Sequence, residues 1–221
     1  MSDLPKEFVP LLPTVLLVLG LGLLPFIVVM GTSFTKISIV LVLLRNALGV
    51  QGAPSTLVIN GIALTLTVFI MVPVVDGIVT DLQSATINMQ DWNGIVAAYH
   101  VAMKGYSSYL LQFTDKAELS FFMDAAHKMW PPSLSAAITD QNLLILLPSF
   151  LTSELTRAFQ ISFLLFLPFV IIDMVVSNVL LAMGAMMVPP MLISLPIKLL
   201  LFLAVNGWTL LLHNLVLSYI R

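Results

Sequence analysis

The chain has 221 residues, of which 59% are hydrophobic and only 9% charged, with a formal net charge of -2 and a mean hydropathy of +1.07. Such values lie outside those of soluble domains and define a membrane-type chain, with room for one unit of several long helices and none for a sizeable soluble enzyme. No Lys/Arg cluster offers a phosphate-neutralising face for nucleic acid, and the lack of cysteine excludes disulfides, thiolate metal sites and Cys nucleophiles.

The first hydrophobic run, Phe8 to Met30, follows "MSDLPKE", where Asp3 and Glu7 outnumber Lys6. A secretory signal wants a positive start, a shorter apolar core and a small-residue cleavage site, so this run is expected to be a retained helix. Pro25 inside it should kink it or end it early. The apolar stretch Ile37 to Leu44, between Lys36 and Arg45, is too short to cross a bilayer, which takes about 20 apolar residues. It reads as a helix buried against protein or as a re-entrant piece. The next spanning candidate runs from Thr56 to Val75; Asn60, Gly61 and its threonines suit close approach to other helices.

From Asp76 to Asn142 the composition changes: ten of the twenty charged residues lie here, seven acidic and three basic. This middle region is expected to face water as short amphipathic helices ended by Pro131 and Pro132. Gly31 to Ser55 carries two basic residues and no acidic one, which puts that loop in the cytoplasm and the acidic region on the other side. The chain thus divides into an N-terminal hydrophobic part (1–75), an acidic water-facing part (76–142) and an apolar C-terminal part (143–221), all within one domain.

The C-terminal part reads as a helical hairpin of two long segments, Phe159 to Met187 and Met191 to Tyr219, joined by Val188, Pro189 and Pro190. The residue before a proline leaves the helical region, so Val188 and Pro189 should stop the first helix, and Pro190 can open the second. Glu154, Arg157, Asp173 and Lys198 interrupt this half; each is costly in lipid and must face protein or water. Glu154 and Arg157, spaced i to i+3, can pair locally, and Glu154 is also free to reach a neighbour. With a turn centred near Pro189, Asp173 lies level with about residue 205, closest to Asn206, and is offset from Lys198 by roughly 10 Å along the hairpin. On that geometry Lys198 finds its carboxylate on another helix or another subunit. Two readings stand side by side, packing polar groups of a helix bundle and a transport or proton-relay role.

The stretches "GTSFTKISIVLVLLRNALG", "SELTRAFQISFLLFLPFVIIDMVVSNVLLAMGAMMVPPMLISLPIKLLLF" and "NGW" resemble the FliP/SctR (YscR/SpaP) family, the major export-gate subunit of flagellar and virulence-associated type III secretion systems. The likeness runs nearly end to end, weakest in the acidic middle region. Two departures stand out: Ala185 interrupts the methionine run, and Asn206 occupies the place before Gly-Trp where flagellar members usually carry Asp. The short acidic start resembles the injectisome branch, since flagellar members commonly have a cleavable signal. The resemblance implies an all-α protein of the bacterial inner membrane that assembles, as about five copies with SctS-like and SctT-like membrane subunits, into a helical cone projecting toward the periplasm. Contacts with SctU-like and SctV-like proteins and passage of unfolded secreted proteins come with it, and neither catalysis nor a cofactor does. In that cone, segments read here as spanning are raised largely out of the bilayer plane. Glu154, Arg157, Asp173, Lys198 and Asn206 then become candidates for buried or inter-subunit polar contacts.

Met183, Met186 and Met187, spaced i, i+3 and i+4, would share one face of the last turn before Pro189 and Pro190. Spacing by itself favours core packing. The resemblance implies instead a ring closing the channel, to which a deformable thioether is suited. Two other classes remain as alternatives. A small ion or solute transporter could use Asp173 and Lys198 as a relay, yet the chain has no internal repeat. An intramembrane enzyme has little support: only His213 lies in an apolar helix, no H-E-x-x-H pattern occurs, and His100 and His127 have no ligand-like neighbours, so no metal site is expected.

Overall fold

The computed structural model describes residues 22, 25–50, 52–85, 92–135, 138–185 and 187–220. Among them the protein is all α, with helices α1 (Pro25–Gly31), α2 (Phe34–Leu48), α3 (Thr56–Ser84), α4 (Trp92–Phe113), α5 (Lys116–Met129), α6 (Pro132–Ser135), α7 (Leu143–Ala182), α8 (Met191–Ala204) and α9 (Gly207–Leu217). Most of the expected first helix, Phe8 to Met30, lies outside the described residues; its end is α1. Two helices, α3 and α7, are long and apolar enough to cross a membrane, and the number rises to four if the bent pairs α1/α2 and α8/α9 each count as one span. The chain is an all-α membrane protein.

The organising element is α2. Its residues Ile37, Val40, Leu41, Leu44, Ala47 and Leu48 are buried, as expected of a helix too short to span. They pack with Ile59 and Ala63 of α3, Ala158 and Phe169 of α7, Phe202 of α8, and Leu211 and Leu215 of α9. Gly49, in the left-handed region, ends α2 by returning its N–H to the Asn46 carbonyl. Before α2 the chain turns through 77° from α1. Tyr106 of α4 approaches so closely here that a Cβ on Gly31 would lie 1.8 Å from the phenol oxygen, and the hydroxyl donates to the Gly31 carbonyl at 2.9 Å.

A second cluster joins α4 to α7: Tyr109, Leu110 and Phe113 pack on Leu146, Phe150 and Tyr219. The α3 helix continues past residue 75 to Ser84, so the acidic region begins inside a helix that started apolar. Caps set the next starts. The Asp115 carboxylate accepts from the Ala117 N–H at 2.8 Å to open α5, and Asn142 accepts from Leu144 at 3.0 Å to open α7. The α5 helix stops at Met129, ahead of Pro131, and Pro132 opens α6.

Two sequence expectations about the hairpin are corrected. The first helix does not reach Met187 or stop at Val188; it ends at Ala182, because Gly184 takes the left-handed conformation (φ 72°). Its N–H bonds the Leu181 carbonyl and the next N–H, of Ala185, bonds Leu180, a Schellman closure. The second segment is not continuous either. It breaks at Val205 and Asn206 and turns through 60°, with Asn206 itself left-handed (φ 51°). Asn tolerates that conformation better than other side-chain-bearing residues. Gly207 follows because a Cβ there would fall 2.3 Å from the Phe202 ring.

Candidate functional site

The buried face of α7 is unusual for an apolar helix. Ser149, Ser153, Glu154 and Ser162 are all buried. The three serines return their hydroxyls to the carbonyls of Ile145, Ser149 and Ala158, one turn back, at 2.7 Å each, which satisfies them within the helix. Glu154 cannot do this, and α7 brings it to partners from three directions. Lys36 Nζ of α2 stands 3.4 Å from Oε2, Arg157 NH1 stands 3.3 Å from Oε1, and the Tyr219 hydroxyl donates to Oε2. Lys36 also lies over the Tyr219 ring, 3.6 Å from its centroid. Arg157 NH1 donates in addition to the Phe113 carbonyl at 2.7 Å, closing the C-terminal end of α4. With Glu154 fully buried and Lys36 at 2% exposure, this is a buried charge network tying α2, α4, α7 and the segment after α9.

The second charged site lies nearer the hairpin turn. Lys198 Nζ sits 2.6 Å from Asp173 Oδ2 and donates to the Ala47 carbonyl at 3.1 Å. The expectation that these two charges are too far apart for a direct pair is therefore wrong, as is the expectation that Lys198 turns to another helix or subunit for its carboxylate. The turn is not centred on Pro189. The connection between α7 and α8 occupies 183–190, so Asp173 and Lys198 stand at nearly equal distances from their helix ends, within reach of a lysine side chain. Asn206 is not the partner of Asp173; it serves the α8/α9 break. Ala47 carries one of the last carbonyls of α2, and a buried ammonium there stabilises an end that would otherwise keep an unsatisfied acceptor.

At the turn, Met183 is the C-cap of α7 and Met187 lies in the connection, 73% and 98% exposed. Met186 lies outside the described residues. Of the expectation that Met183, Met186 and Met187 share one helical face, the part that concerns Met183 and Met187 is corrected, since α7 ends at Ala182. Pro189 and Pro190 close the connection ahead of α8: Pro190 is its N-cap, and its carbonyl accepts from Ser194 at 2.9 Å.

Sequence reasoning missed Lys36 and Tyr219 as partners of Glu154. A signal for Lys36 existed: Gly31 to Ser55 holds cations and no acid, while Glu154 is an acid in an otherwise apolar helix. For Tyr219 no comparable signal exists. Among the described residues no group of three or more His, Asp or Glu side chains is placed to hold a metal ion.

Comparison with known proteins bears on this architecture. The FliP family model matches residues 16–215. Yop proteins translocation protein R of Yersinia pestis is 44% identical over 220 residues, 99% of each chain. Virulence protein YscR of Salmonella typhimurium is 41% identical over 204 residues, 90% of this chain and 92% of its own. Hypersensitivity response secretion protein HrcR of Ralstonia nicotianae is 40% identical over 210 residues, 93% and 95% respectively. On matches that cover nearly its whole length, the chain belongs to the FliP family, among its injectisome members.

Proposed function

We propose that this protein is the core subunit of the inner-membrane export gate of a type III secretion system. About five copies, with SctS-like and SctT-like membrane subunits, enclose a channel for unfolded proteins, each copy meeting the next head to tail around a closed ring. SctU-like and SctV-like proteins contact the assembly, which projects toward the periplasm. The subunit performs no catalysis.

The observation that carries this reading is the hairpin tip. A sharp Schellman stop and an eight-residue connection present Met183 and Met187 to the outside, at 73% and 98% exposure, while Lys198 and Asp173 hold the two helices together behind them. Side chains that are apolar, unbranched and exposed in this way suit contact with copies of themselves. A ring of such tips, with Met186 included, makes an apolar constriction that stops ions by dewetting and yields to a polypeptide. Exposed Phe163, Leu164, Ile171, Met174 and Leu181 along α7 are further surface for neighbours or lipid to cover.

Replacing Met183, Met186 and Met187 together by alanine tests the reading. In cells expressing the complete set of export-gate subunits, the triple variant should assemble with unchanged mass and leak ions or a small dye. Assembly without extra leakage would return the methionines to ordinary packing. Failure of the parent chain to form a defined hetero-oligomer by native mass measurement would remove the gate reading itself.

A further inference from the structure

Around Glu154 the charges do not balance. Lys36 and Arg157 share one carboxylate, and among the described residues neither is within ion-pair distance of a second acid. With both cations protonated, one positive charge is in excess on this part of a membrane-type chain, where an isolated charge is costly and calls for a counter-ion. Arg157 shows where that counter-ion fits. Its NH1 is committed to the Phe113 carbonyl and Glu154; Nε and NH2 have no partner among the described residues, leaving three of the five guanidinium donors. The side chain is 32% exposed and borders a cavity of about 330 Å³ lined by Lys36, Phe113, Arg157, Gln160, Ile161 and Ser218.

We propose that this cavity binds the phosphate of an anionic phospholipid. The lining supplies donors in excess: the remaining guanidinium N–H groups, the Gln160 amide and the Lys36 ammonium, with no carboxylate beyond the one already paired. A phosphate diester has the acceptor oxygens to meet several donors together, and Arg matches it through two parallel bonds. A lipid is favoured over a partner's acidic side chain by the setting. Phe163 and Leu164, which follow Gln160 on α7 at i+3 and i+4 and so share its face, are 65% and 67% exposed, an apolar surface on which acyl chains can lie while the headgroup stays at the cations. The site is separate from the hairpin tip and does not depend on the gate reading.

The test is lipid titration of the purified full-length chain in detergent, followed by native mass spectrometry. Phosphatidylglycerol should bind saturably, dioleoylglycerol, which lacks the phosphate, should not, and inorganic phosphate should compete only weakly. Because replacing Arg157 would also disturb Glu154, the decisive variant is Gln160→Glu, at an exposed position. It places an acid in the cavity and should weaken phosphatidylglycerol binding by about tenfold or more, as expected for like charges a few ångströms apart. Asn178→Glu, also exposed on α7 but far from the cavity, should leave binding within about twofold of the parent, well under the tenfold loss that 1.4 kcal/mol represents. Equal binding by the parent and Gln160→Glu would overturn the proposal. So would binding of dioleoylglycerol as tight as phosphatidylglycerol, or full displacement by inorganic phosphate, which would make the site one for a free anion.

Discussion

The two acidic residues of α7 that form ion pairs make a useful contrast. Glu154 is fully buried and serves Lys36, Arg157 and Tyr219 at once, drawing in α2 and the segment after α9. Asp173 has a side chain 46% exposed and serves Lys198 alone among the described residues, within a single hairpin. In the first network the acid and one of its cations, Lys36, are both hidden, and only Arg157 reaches the surface. In the second the cation is hidden, with Lys198 at 7% side-chain exposure, and the acid retains access to the surroundings. The cost of breaking an ion pair depends on which partner is left behind in the dry interior.

That asymmetry sets the order of expected effects. Glu154→Ala leaves Lys36 buried and Arg157 without its carboxylate, and should cost about 3–5 kcal/mol, read as a large fall in the unfolding temperature of the detergent-solubilised chain. A loss below about 1 kcal/mol would mean that water reaches Lys36 and that the two networks do not differ. Asp173→Ala should come next, at about 2–3 kcal/mol, since it strands the buried Lys198 with only the Ala47 carbonyl. Gly31→Ala probes the Glu154 side without touching a charge: the new methyl must displace the Tyr106 phenol and break its bond to the Gly31 carbonyl, at about 1–3 kcal/mol. Lys198→Met should have the smallest effect, about 1 kcal/mol or less, because Asp173 is left half exposed and the methionine fills the lysine's apolar stem space. A double-mutant cycle on Asp173 and Lys198 sharpens the point. The single losses should be unequal, with the acid's removal the greater.

The same contrast separates what could be read in the sequence from what could not. The Glu154 and Arg157 contact is a local helical spacing, legible because i and i+3 fall on one face wherever the helix goes. The burial of α2 was legible from its length. The Asp173 and Lys198 contact depended on where a turn lies, and two prolines outweighed a glycine in that judgement. Gly184 ends α7 through hydrogen bonds that need a left-handed residue, whereas Pro189 falls after the helix has already stopped. Asn206 was visible as a departure before Gly-Trp, but its positive φ and the 60° bend were not, because an apolar run gives no sign of a break made by one tolerant residue. Lys36 and Tyr219 were hidden for a different reason. Their contacts with Glu154 come from packing of elements far apart in sequence, which no periodicity encodes.

The Lys36 and Glu154 pair also carries a consequence in time. Chains are made from the N-terminus at about 5–20 residues per second, and the stretch between Lys36 and Glu154 takes on the order of ten seconds to appear. For that interval the nascent protein holds an ammonium on α2 whose native partner, the Glu154 carboxylate, has not yet been made. The helix cannot complete its native packing until α7, which supplies Glu154, Ala158 and Phe169 to it, has been synthesised. Maturation of this subunit is thus a late event, completed by docking of a helix that was made early.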